Sequence, residues 1–239
     1  MSLSRRLAAE GLGTAFLLAV VIGSGIMGDR LSGGSVGLAL LANTLATGAG
    51  LLALILTFGP VSGAHFNPAV TLVAAQAGQL TRREAAAYVV VQMIGGLLGV
   101  AAAHLMFQAP LFSLATHVRT GGAQWWSEFV ATFGLVSVIL GCSRHRPAMT
   151  PFAVAAYITS AYWFTASTSF ANPAVTLARA TSDTFAGIRP QDVAPFVAAQ
   201  LLGALAASRL TGWLMSPAPV ASASSSDAAM PHSDQSPAN

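Results

Sequence analysis

The sequence has no lysine, a single cysteine and few charges of either sign. Charged residues are 8% of its 239 positions, and eight acids face eleven basic residues, all arginine, for a net charge of +3. Soluble domains carry about a quarter charged residues, so this composition excludes a solvated globular surface. The small, scattered positive excess also excludes a nucleic-acid-binding face. Cys142 stands alone, so no intrachain disulfide forms. No nucleophile–base pair or cluster of metal-ligating types stands out, and His65 and His104 are isolated. No catalytic residue, metal or cofactor is expected, and the chain is not read as an enzyme.

What is abundant is apolar: 54% of residues are hydrophobic. Six stretches approach the roughly 20 residues that cross a bilayer core: 7–27, 36–58, 84–105, 124–142, 151–167 and 192–214. The first follows Arg5 and Arg6 and has the look of a signal peptide, but it is long for one and more spans follow, so it reads as an uncleaved helix. Thr81 and Glu84 form a capping box that starts the third. From residue 216 the chain turns to Ala, Ser and Pro and reads as a disordered tail. An even number of spans puts both ends on one side. Arg5, Arg6, Arg82, Arg83, Arg144, Arg146 and Arg209 share that side, while Arg30, Arg119, Arg179 and Arg189 fall on the other. Arginine excess makes the first side cytoplasmic.

Two apolar segments, 63–77 and 169–180, are too short to span. Both contain NPAVTL, with proline where it suits a first helical turn. Ten helical residues rise about 15 Å, half the hydrocarbon core, so two half-helices entering from opposite faces meet at its middle. The repetition is wider than the hexapeptide. Glu10 and Thr14 in the first span match Glu128 and Thr132 in the fourth; Gln92 and Gly95 match Gln200 and Gly203. The chain is thus two inverted units of three spans each, 5–105 and 124–214, joined by a loop over 106–123 and followed by the tail over 215–239. In such repeats broken helices meet at the transport site. Asn67 and Asn172 each carry an amide that caps its own helix or donates into a pore. Irregular backbone at this depth is buried in protein or lines a water-filled path, so Gly63, Ala64 and His65, with Thr168, Ser169 and Phe170, are expected to present carbonyls to a pore. The His65 side chain is read either as packed or as lining it.

Taken together, these features resemble the aquaporin and aquaglyceroporin family (major intrinsic proteins) over about residues 5–214. The fold implied is all-α and membrane-embedded, with six transmembrane helices and two re-entrant half-helices. The pore motifs implied are Asn67, Pro68 and Ala69 with Asn172, Pro173 and Ala174. Family members brace the half-helix loops with the glutamates matching Glu10 and Glu128, a role favoured over a proton relay. The family's filter positions fall, by spacing from the asparagines, on Thr47, Ser160, Ser169 and Val175. Val175 stands where most members carry arginine. The expected filter is therefore wide, polar through three hydroxyls, and free of arginine. Arg179, one turn beyond Val175, is read either as lining the outer vestibule or as pairing with Asp183. The run NPAVTLAR with the following SDTFAGI resembles the bacterial aquaglyceroporins associated with arsenic resistance.

The resemblance implies a passive channel for water and small uncharged solutes such as glycerol-like polyols and arsenous acid, in a bacterial inner membrane and assembled as a homotetramer. Gly95, Gly96 and Gly99 would permit close helix contact. A water-only pore is disfavoured by the missing filter aromatic and arginine. An alternating-access carrier is disfavoured because no acid besides Glu10 and Glu128 lies mid-span to couple an ion. Ser169 occupies the position where mercury-sensitive members carry cysteine. Mercuric ion is therefore expected to leave vesicle swelling unchanged, and rapid block in a stopped-flow assay would contradict this.

Overall fold

Asparagine followed by proline is a strong helix-start signal, and both copies act as one. In the computed structural model, which describes residues 1–215, helices α3 (Pro68–Gln76) and α7 (Pro173–Arg179) begin at the two prolines. The Asn67 side chain caps α3 by accepting from the Ala69 N–H, and Asn172 caps α7 by accepting from Ala174 and Val175. The long helices are α1 (Leu3–Leu31), α2 (Val36–Ser62), α4 (Arg82–Phe107), α5 (Gly122–His145) and α8 (Pro190–Leu214), each long and apolar enough to cross a membrane. Helix α6 (Thr150–Phe164), preceded by a 3₁₀ turn at Pro147–Met149, is the sixth and shortest span. It ends before the expected residue 167 because Thr165 turns to extended backbone, feeding the loop to α7. The capping box at α4 forms as its residue types predict, with Thr81 and Glu84 satisfying each other's backbone N–H. The tail expected from residue 216 lies outside the described residues.

The polar residues are inside and many large apolar ones are outside. Phe16, Leu45, Leu98, Trp126 and Leu202 are exposed, whereas Glu10, Gln92, Glu128, Gln200 and Arg179 are buried. Lipid tails are as apolar as leucine, so association of these helices rests on close packing and internal hydrogen bonds. Glycine supplies the packing. A Cβ on Gly95 would lie 2.3 Å from the Gly11 carbonyl oxygen, and one on Gly99 2.1 Å from that of Ala15, so α4 lies directly on α1. The other repeat matches it, since a Cβ on Gly203 of α8 would sit 2.4 Å from the Phe129 carbonyl of α5. Gly96 faces Ala174 and Ala178 of α7. The three glycines of α4 thus serve contacts within one chain.

The chain ends of α1, α4, α5 and α8 at Leu3, Arg82, His145 and Leu214 lie on one side, here the terminal side; the loop joining α4 to α5 lies on the other, the loop side. Placing leucine at Gly99 or Gly203 is expected to cost at least the ~1–3 kcal/mol typical of overpacking. Folded yield and thermal stability in detergent should fall sharply for Gly99→Leu and Gly203→Leu. Gly37→Leu, where nothing lies within 4 Å of the added Cβ, should behave as wild type.

Candidate functional site: a cavity between two half-helices

Residues 63–67 and 165–172 cannot be helical, because each segment must turn a descending chain into a half-helix at mid-depth. Ala64, Phe66, Thr168, Ser169 and Ala171 adopt left-handed φ values between 48° and 61°. Such backbone leaves its N–H and C=O groups without a helical ladder, and at this depth each unpaired group costs several kcal/mol. Two carboxylates satisfy the donors. Glu10 accepts from the N–H of His65 (2.9 Å) and Phe66 (2.8 Å), the Ser62 hydroxyl (2.6 Å) and the Gln92 amide (2.8 Å). Glu128 accepts from the N–H of Phe170 and Ala171, both at 2.9 Å, and from the Gln200 amide at 2.6 Å. Gln92 also reaches Thr71 and Gln200 reaches Thr176, so the repeats carry matching networks.

The two loops are then fastened to each other. The Asn67 amide donates to the Ala171 carbonyl at 2.8 Å, and the Asn172 amide donates to the Phe66 carbonyl at 2.7 Å. Each side-chain NH₂ has two hydrogens, so each retains one beyond this cross-link. Both asparagines border a cavity of about 280 Å³ that runs past the two half-helices. Gly63, Ala64, His65, Ser169 and Phe170 line it, and their carbonyls accept no hydrogen bond from the described residues. Thr168 does not line it; its hydroxyl lies 3.5 Å from Arg119. The lining also has apolar side chains such as Leu17, Val21, Leu51, Val154 and Ile158. His65 does both things foreseen for it: Nδ1 bonds the Thr71 hydroxyl at 3.1 Å, the ring packs 5.5 Å from Tyr88, and the residue borders the cavity.

Three of the four expected filter residues, Thr47, Ser169 and Val175, line this cavity; Ser160 does not. Ser160 is exposed on the outside of α6, and its hydroxyl donates to the Tyr157 carbonyl. The positions of α6 that face inward are Val154, Ile158 and Tyr162, four apart. Two residues along a helix is about 200° of rotation, so counting back from Asn172 without a gap lands on the wrong face. Tyr162 takes the place instead, and its hydroxyl donates to Thr47 at 3.3 Å. At these positions the cavity lining has the hydroxyls of Thr47, Ser169 and Tyr162 and also an aromatic ring, where the sequence spacing had put no bulky side chain. The four-residue repeat of Val154, Ile158 and Tyr162 was the available signal. Ser169 Oγ, and Thr150 Oγ1 near the terminal side, are buried hydroxyls on the cavity with no hydrogen-bond partner among the described residues.

Of the two readings of Arg179, lining the cavity fits the structure and pairing with Asp183 does not. Val175 carries no charge, but Arg179, only 2% exposed, borders the same cavity. Its Nε donates to the Ala186 carbonyl, and its guanidinium carbon lies 3.4 Å from the centroid of the Phe170 ring. It does not pair with Asp183, whose carboxylate accepts from the N–H and hydroxyl of Thr116. On the same Phe170 ring sits a second guanidinium, Arg119, at 4.9 Å, held by the Gly187 and Ser167 carbonyls. Burial pushes Arg119 down to about 10, so it remains cationic at neutral pH.

The sequence matches the major intrinsic protein family over residues 1–164. It is 57% identical over 216 residues to aquaglyceroporin AqpS of Rhizobium meliloti (strain 1021), an alignment covering 90% of this chain and 92% of that one. It is 31% identical over 166 residues to aquaporin Z of Photorhabdus laumondii, covering 63% and 71% of the two chains. The fold matches the X-ray structure of the aquaglyceroporin from Plasmodium falciparum with a TM-score of 0.64 at 21% identity, over 87% of this chain and 95% of that one. Two capped half-helices meeting in a cavity inside six spans define a membrane channel and not an enzyme. The chain belongs to the major intrinsic protein family.

Glu10→Ala strands two backbone donors and the Gln92 amide away from water. At about 1–3 kcal/mol for each buried group left unpaired, it is expected to destabilise the fold by several kcal/mol, read as a large drop in thermal unfolding temperature. Glu10→Gln retains one acceptor oxygen and should lose less.

Proposed function

We propose that the protein is a passive channel for small uncharged polar solutes, glycerol-like polyols foremost, together with water. One observation carries this: a cavity lined both by hydrogen-bonding groups and by aliphatic side chains. Free carbonyls, three hydroxyls and the asparagine amides would exchange hydrogen bonds with a solute's hydroxyl groups, while the apolar side chains accommodate its C–H face. A relative named aquaglyceroporin, 57% identical over nearly the whole chain, supports the same reading. Compact neutral hydroxides such as arsenous acid fit the same chemistry.

Arg179 takes over the role of fixed cation that Val175 lacks. It lies on the cavity toward the loop side with no carboxylate in contact, so it disfavours entering cations. The meeting N-termini of the half-helices add partial positive charge in the same sense. Ser169 and Val175, with Thr47 and Tyr162 facing them from α2 and α6, shape the passage below it. Seven arginines on the terminal side support an orientation with both termini in the cytoplasm, in a bacterial inner membrane. The exposed apolar exterior suits lipid and a homotetrameric assembly.

Stopped-flow light scattering on proteoliposomes tests the reading. Glycerol and water should both pass with low activation energy and without saturation. Water flux without glycerol flux would replace this reading with a water-only pore, and saturable flux would replace it with a carrier. Arg179→Ala should raise proton and sodium leak by about tenfold, equivalent to roughly 1.4 kcal/mol of barrier, and unchanged charge rejection would remove Arg179 from this role.

A further inference from the structure

Buried cations are ordinarily matched by acids, because an unpaired charge away from water costs several kcal/mol. Arg179 is not matched. Its Nε reaches the Ala186 carbonyl, and neither terminal nitrogen donates to any described residue. The nearby acids are occupied. Asp183 is held by Thr116, Asp192 by the side chain of Arg189 and the N–H of Arg119, and Glu128 by the loop N–H groups and Gln200. The second buried guanidinium, Arg119, lies on the same Phe170 ring and adds charge of the same sign.

Next to Phe170 in the chain, Ser169 is 3% exposed, and its hydroxyl is buried without a partner among the described residues. Ser169 and Arg179 line one cavity. The site therefore offers up to four guanidinium N–H donors and one hydroxyl, and among the described residues no carboxylate lines it. A planar guanidinium donates in parallel to two oxygens of a planar anion, and such charge-assisted bonds are about twice as strong as neutral ones.

Resting on the channel reading above, we infer that Arg179 and Ser169 form a binding station for a small monovalent oxyanion at the loop-side mouth of the cavity, where the bound anion competes with neutral solutes for entry. The ligand class is planar and singly charged, such as nitrate or a short carboxylate. A larger, non-planar polyhydroxy anion such as gluconate serves as the comparison ion.

Nitrate is the probe, because it has no neutral form at pH 7 to cross the bilayer. Purified protein is compared in sodium nitrate and sodium gluconate at equal ionic strength, reading glycerol-driven swelling in proteoliposomes and thermal unfolding in detergent. Nitrate should lower glycerol permeability saturably and raise the unfolding temperature, as a ligand that binds only the folded state must. Both effects should vanish in Arg179→Gln and weaken by about tenfold in Ser169→Ala. No response in the wild type up to roughly 100 mM, or an unchanged response in Arg179→Gln, overturns the site. If Arg179→Gln does not fold, an unchanged response in Ser169→Ala overturns it instead. Nitrate stabilisation in a protein that passes no glycerol would support the station while overturning the channel reading; normal glycerol flux with no nitrate effect on either readout does the reverse.

Discussion

Everything in this structure depends on satisfying a few backbone N–H groups that cannot be helical and cannot reach water. A half-helix entering a membrane must be reached through several residues of irregular chain. Those residues leave donors where an unmet hydrogen bond costs more than any single apolar contact returns. Glu10 and Glu128 meet that demand, each accepting from two successive loop N–H groups. Their own charge is then the problem, and Gln92 and Gln200 with Thr71 and Thr176 surround it with further donors and bridges. The inner faces of α1, α4, α5 and α8 carry buried polar residues for this reason, although the chain as a whole is apolar. With the donors occupied, the loop carbonyls remain for whatever moves through the cavity.

Much of this was legible in the letters because inverted repetition is a pattern of identity, not of contact. NPAVTL written twice, with glutamate and glutamine at matching places in both halves, locates the half-helices, their caps and the bracing carboxylates without any distance being known. Span lengths and the Thr81–Glu84 box follow from equally local rules. What resisted reading was rotation about a helix axis across a loop of unspecified length. Ser160 and Tyr162 differ by two positions, yet one faces outward and the other into the cavity. The residues between Phe164 and Asn172 decide which, through left-handed backbone at Thr168, Ser169 and Ala171 that non-glycine residues do not advertise. Arg119 was invisible as a site residue for a related reason: it lies on an excursion between α4 and α5 whose path no periodicity specifies.

Arginine illustrates how a site conserves a physical quantity while changing the residue that provides it. Valine at position 175 removes a cation from the motif itself. Four residues on, the next turn of α7 carries one at the same cavity, laid on the face of Phe170 with a second guanidinium nearby. A ring's negative face and backbone carbonyl oxygens hold both side chains, so their positive charge is stabilised without being cancelled. The cavity thus has a guanidinium on its lining even though the motif reads as neutral.

The paired bonds from Asn67 to Ala171 and from Asn172 to Phe66 tie the two inverted halves together at mid-depth. In a carrier built from inverted repeats, one half rocks against the other about that same depth, so the hinge region must slide. Here it is buckled twice, by amides that also cap the half-helices, and any rocking would tear both caps in the same stroke. The molecule has the symmetry of a machine with two positions and the fastening of a pipe with one.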